Sequence, residues 1–139
     1  MTDFAYTVEV VISNDLLEAR RVQREIEEAL HAADYGDRDI FCAKLALEEA
    51  LVNAVKHGNR MDPSKHVTVR YDVNPERLRI QVCDEGEGFD PTAVPDPTAP
   101  ENIERPCGRG LLLMRRFMSS VVYDDRGNRV VMTKLRSAE

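Results

Sequence analysis

Apolar and polar residues alternate along five short stretches, which predicts β-strands at 4–12, 66–73, 78–83, 119–123 and 130–135. Apolar residues spaced three or four apart predict helices at 16–30, 40–57 and 111–118. Ser13-Asn14-Asp15 offers an N-cap for the first helix, and Asp37 or Asp39 offers one for the second. Turn sequences between neighbouring strands predict two hairpins, one over 66–83 and one over 119–135.

Length and composition limit the class of protein. A chain of 139 residues is long enough for one domain with its own core, which we place at 1–139. The content of 42% hydrophobic and 32% charged residues is typical of a globular chain rather than a disordered one. The net charge of −6 argues against direct nucleic-acid binding, which favours basic surfaces. No apolar run approaches the ~20 residues of a membrane span, and the N-terminus does not resemble a signal peptide, so we expect a cytoplasmic protein without a membrane partner.

The second predicted helix ends in a stretch, 47–59, that combines strong helix formers with informative polar residues. Glu49, Asn53 and His57 fall at i, i+4 and i+8, within an arc of roughly 80° at about 100° per residue. Lys56 lies on the same side. A carboxylate, an amide, a cation and an imidazole on one stripe suit a binding site, although a solvated helix face has the same pattern. Glycine and asparagine at 58–59 predict the end of the helix.

Two glycine-containing stretches follow. Asp84-Glu85-Gly86-Glu87-Gly88 comes directly after a predicted strand, and Gly108-Arg109-Gly110 precedes a predicted helix. Glycine allows a backbone to approach a ligand closely, and the N–H groups at a helix start favour phosphates. A plain turn after a hairpin and a helix-initiating turn would have these same sequences. Neither stretch is a dinucleotide fingerprint, and the chain has neither a P-loop nor the catalytic loop of eukaryotic kinases.

In this order, the E-x-x-x-N-A-x-K-H helix, the D-x-G-x-G stretch and the G-x-G stretch resemble the ATPase fold of gyrase, the Hsp90 chaperone, histidine kinases and the MutL mismatch-repair proteins. The short chain and the apolar, basic helix at 111–118 most resemble its anti-sigma-factor serine kinase branch, the RsbW and sporulation kinases. The resemblance covers residues 8–134. It implies an α+β two-layer sandwich, in which about three helices cover one face of a mixed, mostly antiparallel sheet.

The resemblance also implies ATP and Mg²⁺ as cofactors, and it assigns the adenine end of the site. Asp84 would accept the adenine amino hydrogen, and Gly86 and Gly88 would let the backbone approach the base and the sugar. One feature departs from the family pattern. Relatives commonly carry Gly-Thr-Thr at the start of the last strand, where this chain has Gly127-Asn128-Arg129. Thr133 lies further along and is a doubtful substitute.

At the phosphate end, the resemblance implies that Asn53 offers an amide oxygen to Mg²⁺, with phosphate oxygens and water completing the coordination. Lys56 and His57 would face the nucleotide beside it. Glu49 is the candidate general base or positioning group for an attacking hydroxyl. Glu48 points about 100° away and is the weaker candidate.

A long proline-rich segment, 89–107, has no periodicity and is predicted to be a flexible ATP lid. At its end, Gly108 and Gly110 would direct backbone N–H groups at the phosphates. Arg105 and Arg109 are both candidates to touch the γ-phosphate or the protein substrate, and the sequence does not choose between them.

The leading hypothesis from the resemblance is an ATP-dependent protein-serine kinase that is also an anti-sigma factor. It would phosphorylate a serine of an anti-sigma-factor antagonist and sequester a sigma factor, and the family also allows a homodimer. The alternative is a module that binds nucleotide and sequesters a partner without phosphate transfer. Glu49 separates the two, because nucleotide binding alone does not require it. A nucleotide-free interaction domain would make the three motifs coincidental.

Overall fold

The computed structural model describes residues 7–86, 106–124 and 126–137. The elements in chain order are β1 (Val8–Ser13), α1 (Leu16–Ala32), α2 (Asp37–Val52), a π-helical turn (Asn53–Gly58), β2 (His66–Val73), β3 (Arg77–Cys83), α3 (Pro106–Phe117), β4 (Ser120–Tyr123) and β5 (Arg129–Leu135). All five predicted strands and all three predicted helices are present. Residues 4–6, which the sequence assigns to the first strand, lie outside the described part of the chain.

The strands form one sheet in the order β1-β2-β3-β5-β4. Both predicted hairpins are confirmed, since β2 pairs with β3 and β4 pairs with β5. The family resemblance implies a mixed, mostly antiparallel sheet, and every pair of neighbouring strands described here is antiparallel.

One face of the sheet is apolar because alternate strand residues line up across it. Val10 pairs with Val69, Val69 with Val82, and Val82 with Val130. The helices contribute the other half of the core, with fully buried side chains from all three, namely Ile26, Leu30, Leu47, Leu51 and Met114. Burying each such side chain stabilises the fold by about 1.5–3 kcal/mol. The predicted two-layer α+β sandwich is therefore confirmed.

The second predicted helix differs from the prediction in its N-cap and in the geometry of its last turn. Its N-cap is Gly36 rather than an aspartate, and Asp37 and Asp39 lie in the first turn. After Val52 the helix widens into a π-turn, in which the N–H of Asn59 donates to the carbonyl of Ala54 at 2.8 Å. The chain then reverses through two left-handed residues, Arg60 and Met61. The predicted end near 57–59 is confirmed, but the glycine there does not supply the left-handed conformation.

The third helix starts earlier than its apolar pattern predicts, at Pro106 rather than at residue 111. Proline is favoured in the first turn because its fixed φ suits the helix and its missing N–H leaves no donor unsatisfied. Residues 106–107 therefore belong to α3 and not to the predicted lid, and 89–105 lie outside the described residues. Among the described helices, none is both long and apolar enough to cross a membrane.

Candidate functional site

A pocket of about 80 Å³ opens between the end of α2 with its π-turn, the end of β3 and the β4–β5 hairpin. The helix wall consists of small or polar side chains, and the opposite walls come from the two strand segments. The lining residues are Ala50, Asn53, Ala54, His57 and Gly58 from the helix, Val82 and Asp84 from β3 and its end, and Tyr123, Gly127, Asn128 and Val130 from the hairpin. The first two motifs of the sequence therefore meet at one place in the fold.

Two glycines allow the helix and the Asp84 loop to pack against each other. A Cβ added to Gly58 would overlap the carboxylate of Asp84, and one added to Gly86 would overlap the carbonyl group of Gly58. Gly86 is a predicted site residue, and the structure gives it a role in this contact. Gly58 is a site residue that the sequence analysis missed, because it reads there only as a helix terminator.

Asp84 is held at the pocket wall by backbone groups on both sides. Its N–H donates to the carbonyl of Asn128 at 2.9 Å, and its Oδ1 accepts from the N–H of Gly86 at 2.8 Å. Its Oδ2 accepts no hydrogen bond from the described residues. Burial raises the pKa of this carboxyl; the Gly86 hydrogen bond and the charge of Lys65 oppose that effect, and the charge of Asp124 adds to it. The result is a partly desolvated carboxylate with one free acceptor beside the pocket.

A closed set of hydrogen bonds lies behind this wall. The side chain of Asn59, which is fully buried, donates to the carbonyl of His66 at 2.9 Å and accepts from the N–H of Glu85 at 2.8 Å. The N–H of His66 in turn donates to the carboxylate of Glu85. We call these three residues the Asn59 ring. Nothing in the hydrophobic pattern marks Asn59 as buried, so the sequence analysis missed it.

The predicted polar stripe of the helix divides in the structure. Asn53 and His57 line the pocket, whereas Lys56 is exposed and is absent from its lining. A π-turn holds more residues per turn than an α-helix, so four residues nearly complete a turn while three leave Lys56 on another side. Glu49 is half-buried one turn before Asn53, outside the pocket lining, and Glu48 is exposed.

The turn before β5 contributes Gly127 and Asn128, at the place where the family resemblance implies glycine and threonine. Both line the pocket, and the Asn128 side chain donates to the carbonyl of Gly86 at 3.3 Å. Thr133 pairs with Ser120 and Arg79 in the middle of the sheet, so it does not take the place of the missing threonine. The sequence analysis selected none of the four hairpin residues that line this wall, namely Tyr123, Gly127, Asn128 and Val130.

The remaining predicted residues belong to the segment after Gly86. Gly88 and Arg105 lie outside the described residues. Gly108, Arg109 and Gly110 lie within the first five residues of α3, so they form its first turns rather than a loop before it. Their roles toward phosphate stay predictions.

Comparisons with known proteins identify the same family that the sequence motifs resemble. The profile of the histidine kinase-like ATPase domain matches residues 12–134. The serine-protein kinase RsbW of Bacillus licheniformis is 37% identical over 115 residues, covering 76% of this chain and 70% of that protein. The RsbW of Bacillus subtilis strain 168 is 35% identical over 105 residues, covering 69% and 64% respectively. The alignments thus span about two thirds of these relatives' own length.

A solved structure, that of the RsbU and RsbW domains of Rv1364c from Mycobacterium tuberculosis, aligns with 95% of this chain and 34% of that chain. Its TM-score is 0.62 at 19% identity, which is a likeness of fold. The chain belongs to the family of histidine kinase-like ATPase domains and, within it, to the group of RsbW serine-protein kinases.

Gly58→Ala tests the close packing at the pocket. The new Cβ must displace the Asp84 carboxylate, so we expect a loss of about 1–3 kcal/mol in the free energy of unfolding, measured by urea titration. Gly36→Ala is the matched control, since a Cβ there meets nothing within 4 Å, and it should change stability by less than about 1 kcal/mol. Equal stability of the two variants would contradict the contact.

Asp84→Asn tests the cost of the buried carboxylate. Because the folded-state pKa of Asp84 is raised, its contribution to stability is present below the unfolded-state pKa and is lost as pH rises through the folded-state pKa. The amide keeps an acceptor for Gly86 without a charge. We therefore expect Asp84→Asn to be more stable than wild type at neutral pH, with the difference vanishing below about pH 4.

The control is Asp62→Asn, at a carboxylate outside the pocket that remains accessible to solvent. The pKa of Asp62 is lowered by hydrogen bonds from the hydroxyl and the N–H of Ser64 and by the charge of Lys65. This variant should be slightly less stable than wild type at neutral pH, and that deficit should also disappear in acid. Urea unfolding across the pH range measures both, and two variants with the same sign would refute the assignment for Asp84.

Proposed function

We propose that this protein binds ATP with Mg²⁺, phosphorylates a serine of an anti-sigma-factor antagonist and sequesters a sigma factor. The observation that carries the proposal is the meeting of Asp84 with the Asn53 and His57 face of the helix across one pocket. The RsbW relatives, which are named serine-protein kinases, support the reaction class.

The pocket fits the adenine end of a nucleotide. Ala50, Ala54, Val82 and Val130 give it small apolar walls, which suit a flat aromatic ring. Asp84 Oδ2 is the acceptor for the exocyclic amino group. A base without that donor would leave a partly buried carboxylate unpaired, at a cost of about 1–3 kcal/mol. Asp84 therefore acts in this proposal as the residue that selects adenine.

Asn53 fits the metal end of the site. Its side chain lines the pocket one turn from the glycine contact, and its amide oxygen is a ligand of the hard type that Mg²⁺ prefers. Bound Mg²⁺ supplies neutralisation of phosphate charge and holds the phosphates in place. His57 lines the same wall and would donate to or accept from the nucleotide.

Glu49 is the proposed general base. It lies one turn before Asn53 and is half-buried, whereas its neighbour Glu48 is exposed. In this role Glu49 would accept the proton of the serine hydroxyl as that oxygen bonds to the γ-phosphorus of ATP, while the bond from this phosphorus to the bridging β-phosphate oxygen breaks and ADP leaves. Phosphoryl transfer depends mainly on positioning and electrostatics, so one well-placed carboxylate is sufficient.

A second candidate function is a nucleotide-dependent binding module that sequesters its partner without phosphate transfer. The position of Glu49 outside the pocket lining favours it, because binding through Asp84 and Asn53 does not need that carboxylate. In either case we propose a cytoplasmic protein whose partners are the antagonist and the sigma factor, and whose family also allows a homodimer.

Asn53→Ala and Asp84→Asn separate the two ends of the nucleotide. Asn53→Ala should lose most of the Mg²⁺-dependent part of the ATP affinity, about tenfold or more, because it removes a ligand. Asp84→Asn should weaken ATP binding both with and without Mg²⁺, because it changes the adenine contact. Calorimetric titration of each variant with ATP, with and without Mg²⁺, measures these effects. A wild-type protein that shows no heat and no thermal stabilisation with millimolar ATP would end the proposal.

Glu49→Gln separates the kinase from the binding module. The amide keeps the size of the side chain but accepts no proton, so transfer to a serine antagonist should fall by about 10²–10⁴-fold. ATP affinity should stay the same or rise, since a negative charge is removed near the phosphates. The control, Glu48→Gln, alters the exposed neighbour and should change little. Wild-type transfer rates in Glu49→Gln exclude this residue as the base, and ATP binding without transfer in wild type favours the module.

A further inference from the structure

We propose that Asn59 and Glu85 are positioning residues that fix Asp84 in the orientation that reads the adenine amino group. The inference rests on the proposed binding of ATP and extends it to two residues outside the pocket lining. It follows from the Asn59 ring, which joins the helix end to the residue directly after Asp84.

The amide of Asn59 has no spare hydrogen-bonding group for any other task. Its two N–H groups donate to the side-chain oxygen of Asn14 at 3.1 Å and to the carbonyl of His66 at 2.9 Å. Its oxygen accepts from the N–H of Glu85 at 2.8 Å. Because the side chain is fully buried, none of these bonds is easily replaced by water. Asn59 therefore holds the backbone of Glu85 at one position.

Glu85 is held a second time through its side chain, which accepts a hydrogen bond from the N–H of His66. Both the backbone and the side chain of Glu85 are thus anchored. The β4–β5 turn provides a second anchor. The carbonyl of Asn128 accepts from the Asp84 N–H, and the Asn128 side chain donates to the carbonyl of Gly86. Asp84 lies between the Asn59 ring and Asn128, which restricts its backbone from two directions.

The orientation of Asp84 matters because, among the residues that the structure describes, one of its oxygens has a hydrogen-bond donor and the other has none. Oδ1 is engaged by the N–H of Gly86, and the carboxylate is in contact with Gly58. A small rotation of the loop would move Oδ2 away from the base or drive the carboxylate into the helix. Restricting the backbone of residue 85 therefore acts on adenine selection, while the volume of the pocket stays the same.

The test compares the affinity for ATP with that for purine riboside triphosphate, which lacks the 6-amino group, by calorimetry on folded protein. The ratio of the two affinities reports the contact of Asp84 with that group. Wild type should prefer ATP, and Asp84→Asn should lose about 5- to 150-fold of that preference. Asn59→Ala and Glu85→Ala should each lower the ratio by about fivefold or more.

Two further variants distinguish positioning from stability. Asn14→Ala removes one partner of the Asn59 side chain but leaves its bond to Glu85, so it should lower the melting temperature and keep the ratio. Glu85→Gln retains an acceptor for the His66 N–H and should restore the ratio that Glu85→Ala loses. The Glu85 side chain is exposed, so we expect its variants to fold. They test the positioning role even if Asn59→Ala does not fold.

An unchanged ratio in Glu85→Ala, or a fall in Asn14→Ala as large as that in Asn59→Ala, overturns the proposal. A wild type that binds both nucleotides equally also overturns the positioning proposal. The proposed kinase function is tested separately, by phosphate transfer to the antagonist. A wild type that binds neither nucleotide rejects both.

Discussion

The side-chain amide of Asn59 is shielded from water, so each of its hydrogen-bonding groups must find a partner inside the protein. Those partners come from the β1–α1 junction, the start of β2 and the residue after Asp84, which are distant from one another in the sequence. Because a buried polar group left without a partner costs about 1–3 kcal/mol, these segments are coupled energetically. Asn59 follows the helix that forms one wall of the pocket, and it is bonded to Glu85, the residue directly after Asp84 in the opposite wall.

A second constraint is the contact between the helix and the loop at Gly58. The carboxylate of Asp84 is placed against backbone, where burial disfavours its charge, and the N–H of Gly86 and the charge of Lys65 compensate in part. An uncharged side chain would fold into this position more readily. In the proposed function this carboxylate accepts a hydrogen bond from the ligand, so its desolvation is a loss of stability that serves binding.

The sequence predicts the elements of this fold well, because hairpins and amphipathic helices are encoded by local periodicity and turn residues. Through the resemblance of its motifs to those of the ATPase family, it also predicts that Asn53, His57, Asp84 and Gly86 share a site, and the first three line one pocket. What it misses depends on contacts between distant segments. In the sequence, Asn59 is typical of a helix end. Its burial depends on contacts with Asn14, His66 and Glu85, which local patterns do not encode. Lys56 leaves the pocket because the helix widens, and an ideal α-helical wheel contains no such widening.

The Asn59 ring uses its three members in different ways, and this determines how freely each position drifts among natural variants of the protein. Position 66 enters the ring through its backbone N–H and carbonyl, and its imidazole Nδ1 also lies 3.6 Å from the same Glu85 oxygen, so any substitution except proline keeps the ring's own hydrogen bonds. Position 85 needs a side-chain acceptor of suitable length. Position 59 must supply two donors and one acceptor from a short planar group in a dry cavity, which among the twenty amino acids leaves asparagine. We therefore expect natural variants to retain residue 59 more strictly than residue 66, because the ring holds residue 66 by its backbone.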